Sequence, residues 1–230
     1  MKIVTEEFDS SIFKKKVFRV ILNSSLSTSD VAFLHEELAR MHDAIIYCTI
    51  PVISSHIGVL EDCGFSLISI RNTYVYRRDF LNKTFEDELP GYKVIEFRSD
   101  MNISDNVIHR FATVIGQVNR YFKDPKINKQ HSQELYIQWI NNSLYHGLAT
   151  KCFFVFWGEN PVGICTTRLN GSDARIDLFG VLPEFQGKGV GKLLLGGVLK
   201  YLLSYNPNVI WVATAGENIR ANIFFKPMIL

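Results

Sequence analysis

Cysteine is scarce in this chain: four in 230 residues. Cys48, Cys63, Cys152 and Cys165 are far apart and lack the close pairing of a zinc or redox site. They read as buried, reduced thiols of a cytoplasmic protein, and no metal is expected. A charge bias is also missing, with 25 Lys and Arg against 23 Asp and Glu and a net charge of +2. That balance leaves no polyanion footprint, so neither nucleic acid nor a membrane surface is an expected partner. No apolar run reaches the roughly 20 residues of a membrane span. The start, "MKIVTEEFDSSIFKKK", carries acids where a secretory leader needs a basic stretch and then an apolar one. Glycine and proline are few, 15 and 7, while 47% of residues are apolar. Such a composition excludes a linker or a disordered tail and leaves room for one large or two small domains.

What is present alternates between strand and helix patterns. "FRVIL" and "AIIYCTI" are rich in β-branched residues and predict strands. Between them, Val31, Leu34, Leu38 and Met41 recur at helical spacing, with Ser29 or Asp30 as the expected cap. "SSHIGVLEDC" predicts a short helix ending at Gly64, and "FSLISIRNTYVYRR" a strand that closes this first segment. The acidic, aperiodic "FLNKTFEDELPGY", residues 80–92, marks a boundary. The expected division is therefore an N-terminal partial α/β segment at 1–85 and a second domain at 91–230.

The second domain opens with the strand "YKVIEF", the helix "SDNVIHRFATVIGQV", the loop "YFKDPKIN" and the helix "KQHSQELYIQWINNSLYHG". "KCFFVFW", "VGICTTRL" and "ARIDLFGV" then form a meander across turns at Gly158–Asn160 and Asn170–Ser172. "EFQGKGVGKLLLGG", residues 184–197, leads into a helix from about Lys188 to Leu203, followed by the strand "VIWVATA" and a helix opening at Asn218.

Closely spaced glycines at the start of a helix let backbone amides converge on an anion, usually a phosphate. A Walker A loop would need Ser or Thr after Gly191-Lys192, where Leu193 stands. A Rossmann loop would need Gly-x-Gly-x-x-Gly after a first parallel strand, whereas Gly187, Gly189 and Gly191 follow a meander. Gly196 and Gly197 each cost the helix about 1 kcal/mol relative to Ala, which points to close packing on a sheet.

The pattern Gln186-x-x-Gly189-x-Gly191, in this order of elements, resembles the acetyl-CoA loop of the GNAT acetyltransferase superfamily. Asn218-x-x-Ala221 resembles that family's second motif. The resemblance implies an α/β GNAT fold with a mixed, splayed central sheet, preceded by the smaller α/β segment. It implies acetyl-CoA as co-substrate, held by Gln186, Gly187, Lys188, Gly189, Val190 and Gly191 at its pyrophosphate. The backbone of Phe179 and Val181 would take the pantetheine arm, and Asn218 the arm or thiol, or else a plain helix cap. Asp177, expected on one strand face with Phe179 and Val181, is the candidate base. Arg120, Tyr121 and Trp139 are candidates for lining the acceptor cleft.

"FDSSIF" at 8–13, with "NRYFKDPKIN" and "YIQWINNSL", is similar to dTDP-fucosamine acetyltransferases, which N-acetylate dTDP-4-amino-4,6-dideoxygalactose. An amino sugar nucleotide is thus the expected acceptor. The alternatives are another amine, peptide or small metabolite, or CoA binding with little turnover. Two departures stand out. Seven residues after Asn218, where such enzymes carry a tyrosine acid, stands Phe225. The sequence also stops at Leu230, before the family's last strands, so one sheet edge should be filled by the N-terminal segment or by a second copy in a homodimer.

Overall fold

The computed structural model describes residues 1–22, 27–77 and 88–226. They divide into two compact units, Met1–Ile70 and Arg71–Leu230. The expected boundary stretch 80–87 lies outside the described residues.

The first unit is a three-stranded sheet, β1 (Lys2–Thr5), β2 (Val17–Ile21) and β3 (Ile45–Cys48), in that order. Helix α1 (Glu7–Phe13) joins the antiparallel β1–β2 pair, and α2 (Thr28–Arg40) crosses between the parallel β2 and β3. Val20, Leu34 and Leu60 form its small core, with Leu60 on α3 (Ile57–Asp62). Helix α2 is capped by Ser27, not by Ser29 or Asp30. The Ser27 hydroxyl accepts from the Asp30 amide while the Asp30 carboxylate returns to Ser27, a reciprocal box that satisfies two orphan donors.

The second unit is built on a six-stranded sheet of order β4-β9-β8-β7-β6-β5. Its strands are β4 (Arg71–Arg77), β5 (Tyr92–Glu96), β6 (Lys151–Trp157), β7 (Asn160–Asn170), β8 (Asp173–Val181) and β9 (Val209–Ala215). The helices are α4 (Asp105–Gly116), α5 (Arg120–Lys123), α6 (Lys129–Tyr145), α7 (Val190–Ser204) and α8 (Ile219–Phe225). The short α5 falls where sequence predicted only a loop.

Residues 71–77 depart from the sequence expectation. They do not close the N-terminal segment but pair antiparallel along all of β9, from Arg71↔Ala215 to Arg77↔Val209. Side-chain alternation explains this placement. Tyr74 and Tyr76 pack into the larger core, whereas Arg71, Thr73 and Val75 stay exposed. The edge of β9, expected to be filled by the N-terminal segment or by a second copy, is covered by this strand, which lies within the expected 1–85 segment but belongs to the second unit.

Helices flank both sheet faces. A Cβ on Gly180 would stand 2.7 Å from Ile115 of α4, while one on Gly163, paired with the neighbouring Val181, would meet Leu194 of α7 at 3.5 Å. Adjacent strand residues face opposite ways, so α4 and α7 lie on opposite sides. Helix α7 fits tightly because Gly197 has no side chain. A Cβ there would be 3.0 Å from Val94 of β5, which accounts for a glycine that helix propensity disfavours. No helix among the described residues is long and apolar enough to cross a membrane.

Candidate active site

Two breaks in regularity shape the site. The first is where β8 and β9 part. Their parallel pairing runs from Asp173↔Val209 to Ile176↔Val212 and ends there. Both strands continue, β8 to Val181 and β9 to Ala215, and a wedge-shaped gap opens between them. The backbone of Phe179 and Val181 lies on the β8 arm of this gap, as the splay expectation required.

The second break is a bulge. Along β7–β8 the register jumps from Thr167↔Ile176 to Thr166↔Leu178, and Asp177 is the extra residue. The buried Thr166 hydroxyl accepts from the Leu178 amide at 3.1 Å and holds the distortion. A bulge shifts the side-chain alternation by one. Ala174 and Ile176 pack in the α7-side core before it, and Val181 and Phe179 after it. Asp177 therefore does not share a face with Phe179 and Val181. It keeps company with Arg175, two residues earlier, on the α4 side.

There Asp177 is nearly enclosed, with 2% of its side chain exposed. Arg168 Nε lies 3.2 Å from Oδ2, and Arg175 Nε lies against Oδ1. Burial pushes the Asp177 carboxyl above its ordinary value, and the charges of Arg175 and Arg168 oppose that rise.

The glycine loop sits beyond β8. A short 3₁₀ turn, Pro183–Phe185, delivers the chain to it. Gly187 and Gly189 have φ of +75° and +85°, a region that side chains rarely adopt. Nothing lies within 4 Å of where a Cβ on Gly187 would be. Gly189 is the N-cap of α7, with no side-chain cap bond, and the first amides of that helix have no intrahelical acceptor. Open space, converging amides and the positive end of a helix dipole fit a phosphate group. Val190 contributes only its amide, since its side chain is wholly buried. Lys188 is exposed, with Nζ 5.6 Å above the Phe185 ring.

Gln186 is tied down at both ends. Its Nε2 donates to the Val181 carbonyl at 2.8 Å, and its Oε1 accepts from Arg220 of α8, also at 2.8 Å. It braces the loop between β8 and α8. Asn218 is equally committed: Oδ1 accepts from the Ala221 amide at 3.2 Å as an N-cap, and Nδ2 donates to Thr214. The unforeseen polar centre is Asn222, one turn further on. Its Nδ2 donates to the carbonyls of Ala215, Gly216 and Asn218, and its Oδ1 accepts from Asn72 Nδ2 and, at 2.6 Å, from the Tyr74 hydroxyl. Asn222 locks β4, the end of β9 and α8 together.

Phe225 is 3% exposed, with its ring 6.2 Å from Tyr74, 5.6 Å from Phe179 and 5.0 Å from Phe224. The position is closed among aromatic rings. The three acceptor candidates are separated in role. Tyr121 is buried, its ring under the Arg120 guanidinium at 4.4 Å and its carbonyl accepting from Ser132 of α6. Trp139 stacks on Tyr136 at 5.7 Å, and its Nε1 is buried with no hydrogen-bond partner among the described residues. Lys123 of the same α5 reaches Glu217, before α8, at 2.8 Å and brings α5 to the mouth of the gap.

A splayed parallel pair, a glycine loop at its open end and a helix starting on that loop form a cleft with an anion-favouring end. The sequence model of the Acetyltransferase (GNAT) family matches residues 117–228. The chain carries a GNAT-family acetyltransferase domain. The match covers α5 through α8, the elements that build the cleft. Over 230 residues the chain is 23% identical to the spore coat polysaccharide biosynthesis protein SpsD of Bacillus subtilis, covering 96% of this chain and 76% of that protein. The GNAT domain and the unit before it together resemble a tandem GNAT protein from the clavulanic acid biosynthesis pathway. That likeness has a TM-score of 0.58 and 16% identity, over 91% of this chain and 71% of that one. A GCN5-related N-acetyltransferase from Sphaerobacter thermophilus matches with a TM-score of 0.59 and 12% identity, over 94% and 67%. At these identities the structural matches speak for the fold.

Proposed function

We propose that this chain is an acetyl-CoA-dependent N-acetyltransferase acting on an amino sugar nucleotide such as dTDP-4-amino-4,6-dideoxygalactose. The observation that carries the reading is the gap past Ile176/Val212, which opens beside the glycine loop at the start of α7. The amides of Gly187 to Gly191 hold the pyrophosphate, and Gln186 acts by bracing that loop. Phe179 and Val181 offer their backbone along the β8 arm, in the manner of a strand edge taking an extended ligand. Asn218 shapes the far wall as a helix cap. Bound acetyl-CoA supplies an activated thioester.

The chain must then take a proton from the acceptor ammonium. Asp177, at the bulge where the gap begins, does this directly or through one water. Its raised pKa brings its basicity nearer to the working pH than that of an ordinary aspartate. Arg168 and Arg175 keep the carboxylate oriented. The acceptor class rests on "FDSSIF" and "NRYFKDPKIN" and on the likeness to a polysaccharide biosynthesis protein. Phe225 is closed among aromatic rings and carries no hydroxyl, so this position supplies no acid to the departing thiolate, and with no other acid assigned turnover is expected to be slow. Thiol release from acetyl-CoA, measured against amino sugar nucleotides, spermidine, amino acids and peptides, tests the reading. Preferred turnover with a non-sugar amine would replace the acceptor class, and binding without turnover would leave a CoA-binding protein.

A further inference from the structure

On the face of the sheet opposite α7, two arginines lean on a single buried carboxylate, Asp177. Arg168 and Arg175 are direct cross-strand partners. Both lean on Asp177, yet their side chains remain 38% and 33% exposed. The Arg175 guanidinium also lies 4.4 Å over the ring of Trp211, its partner on β9. Arg71 stands near enough for its charge to bear on Arg175. Two guanidinium groups thus share one carboxylate at the bulge where the gap begins, and a third, Arg71, bears on one of them.

The floor beside them is open. On β4, Arg71, Thr73 and Val75 are exposed on this face, and Val75 pairs with Trp211. Like charges held together and partly dehydrated repel unless an anion joins them. A guanidinium fork offers paired donors suited to phosphate oxygens, and an apolar floor beside it suits a planar ring.

We propose that Arg71, Arg168 and Arg175, with the Trp211 floor, form the binding site for the nucleoside diphosphate part of the acceptor. The inference rests on the proposed function and assigns this part of the substrate to residues that sequence reasoning did not single out. It places the diphosphate on the α4 side of the sheet, apart from the anion site at the α7 terminus, with the acceptor amine directed at Asp177. An amino sugar lacking the nucleotide is then a poor acceptor through a raised KM.

The test is calorimetric titration of dTDP into protein saturated with CoA, which fills the glycine loop and leaves only a second anion site to report. Wild type should bind dTDP. Arg168→Gln and Arg175→Gln should each weaken it roughly 10- to 100-fold, the range for a charge-assisted contact, while CoA affinity stays unchanged. Arg71→Gln, at an exposed strand position, keeps the test valid if the other two fold poorly, and it should weaken dTDP several-fold. Lys2→Gln in the first unit should change nothing. CoA binding with no dTDP binding, or arginine variants that bind dTDP like wild type, would overturn the site. Intact dTDP binding without CoA binding would instead sink the acetyl-CoA reading.

Discussion

Gly189 offers a way to separate phosphate binding from folding. Its φ of +85° means that any side chain carries a strain of about 1 kcal/mol or somewhat more, least for Asn and Asp. A Cβ there meets only Leu89, at 3.6 Å, which is ordinary contact. Gly189→Asn and Gly189→Asp therefore share nearly the same strain and bulk and differ in one charge. At a helix N-terminus that negative charge is favourable by about 0.3–1 kcal/mol, so the Asp variant should melt no lower than the Asn variant. Toward a phosphate about 5 Å away, the same charge is unfavourable by roughly 1–3 kcal/mol per phosphate charge at effective dielectric constants between those of water and a protein surface. Acetyl-CoA should then bind the Asp variant about 5- to 150-fold more weakly than the Asn variant. Melting curves and calorimetric titration of the pair read both quantities. Equal acetyl-CoA affinities in two folded variants would refute a phosphate at this loop.

Three further outcomes follow from the site. Phe225→Tyr buries a hydroxyl among Tyr74, Phe179 and Phe224, which costs about 1–3 kcal/mol if unsatisfied, and should lower Tm by roughly 2–4 °C per kcal/mol with no gain in turnover. A faster enzyme with unchanged Tm would mean that this ring borders the thiol after all. The pH profile of kcat/KM should show an acid limb above the ordinary aspartate value of about 3.9, because burial raises the Asp177 pKa and its base form fills only at higher pH; Asp177→Asn should abolish that limb, and a limb that survives would assign it to another group. Alkylation at pH 8, followed by intact mass, should modify the half-buried Cys48 and Cys63 first and leave Cys152, pushed up to about 12 by burial, and Cys165, which burial holds well above the ordinary thiol value, unreacted; early loss of the latter two would contradict the packing of β6 and β7.

Local signals in the sequence were enough for most elements and for the loop. The meander reads from alternating apolar residues between turn glycines, and the loop from glycines that only a positive φ or a close approach explains. What stayed hidden depends on tertiary pairing. The placement of 71–77 beside β9 is a long-range contact across more than half of the chain, and nothing in "TYVYRR" names its partner. The bulge at Asp177 shifts the alternation by one residue, and strict period-two reading therefore set Asp177 on the wrong face. A usable hint was present, since Arg175 and Asp177 are two apart, the spacing of an ion pair on one strand face. Asn222 gave no signal, because an asparagine inside a short helix looks like any other until its five hydrogen-bond partners from three elements are in place.

The most direct test of the central claim is mass analysis of the acceptor after incubation with acetyl-CoA. With dTDP-4-amino-4,6-dideoxygalactose as acceptor, the sugar amine should gain one acetyl group and one equivalent of free CoA thiol should be released. The reaction should be slow, and weaker still with the amino sugar lacking the nucleotide. No acetylated sugar nucleotide from a protein that binds acetyl-CoA, or efficient acetylation of a peptide or polyamine in its place, would contradict it.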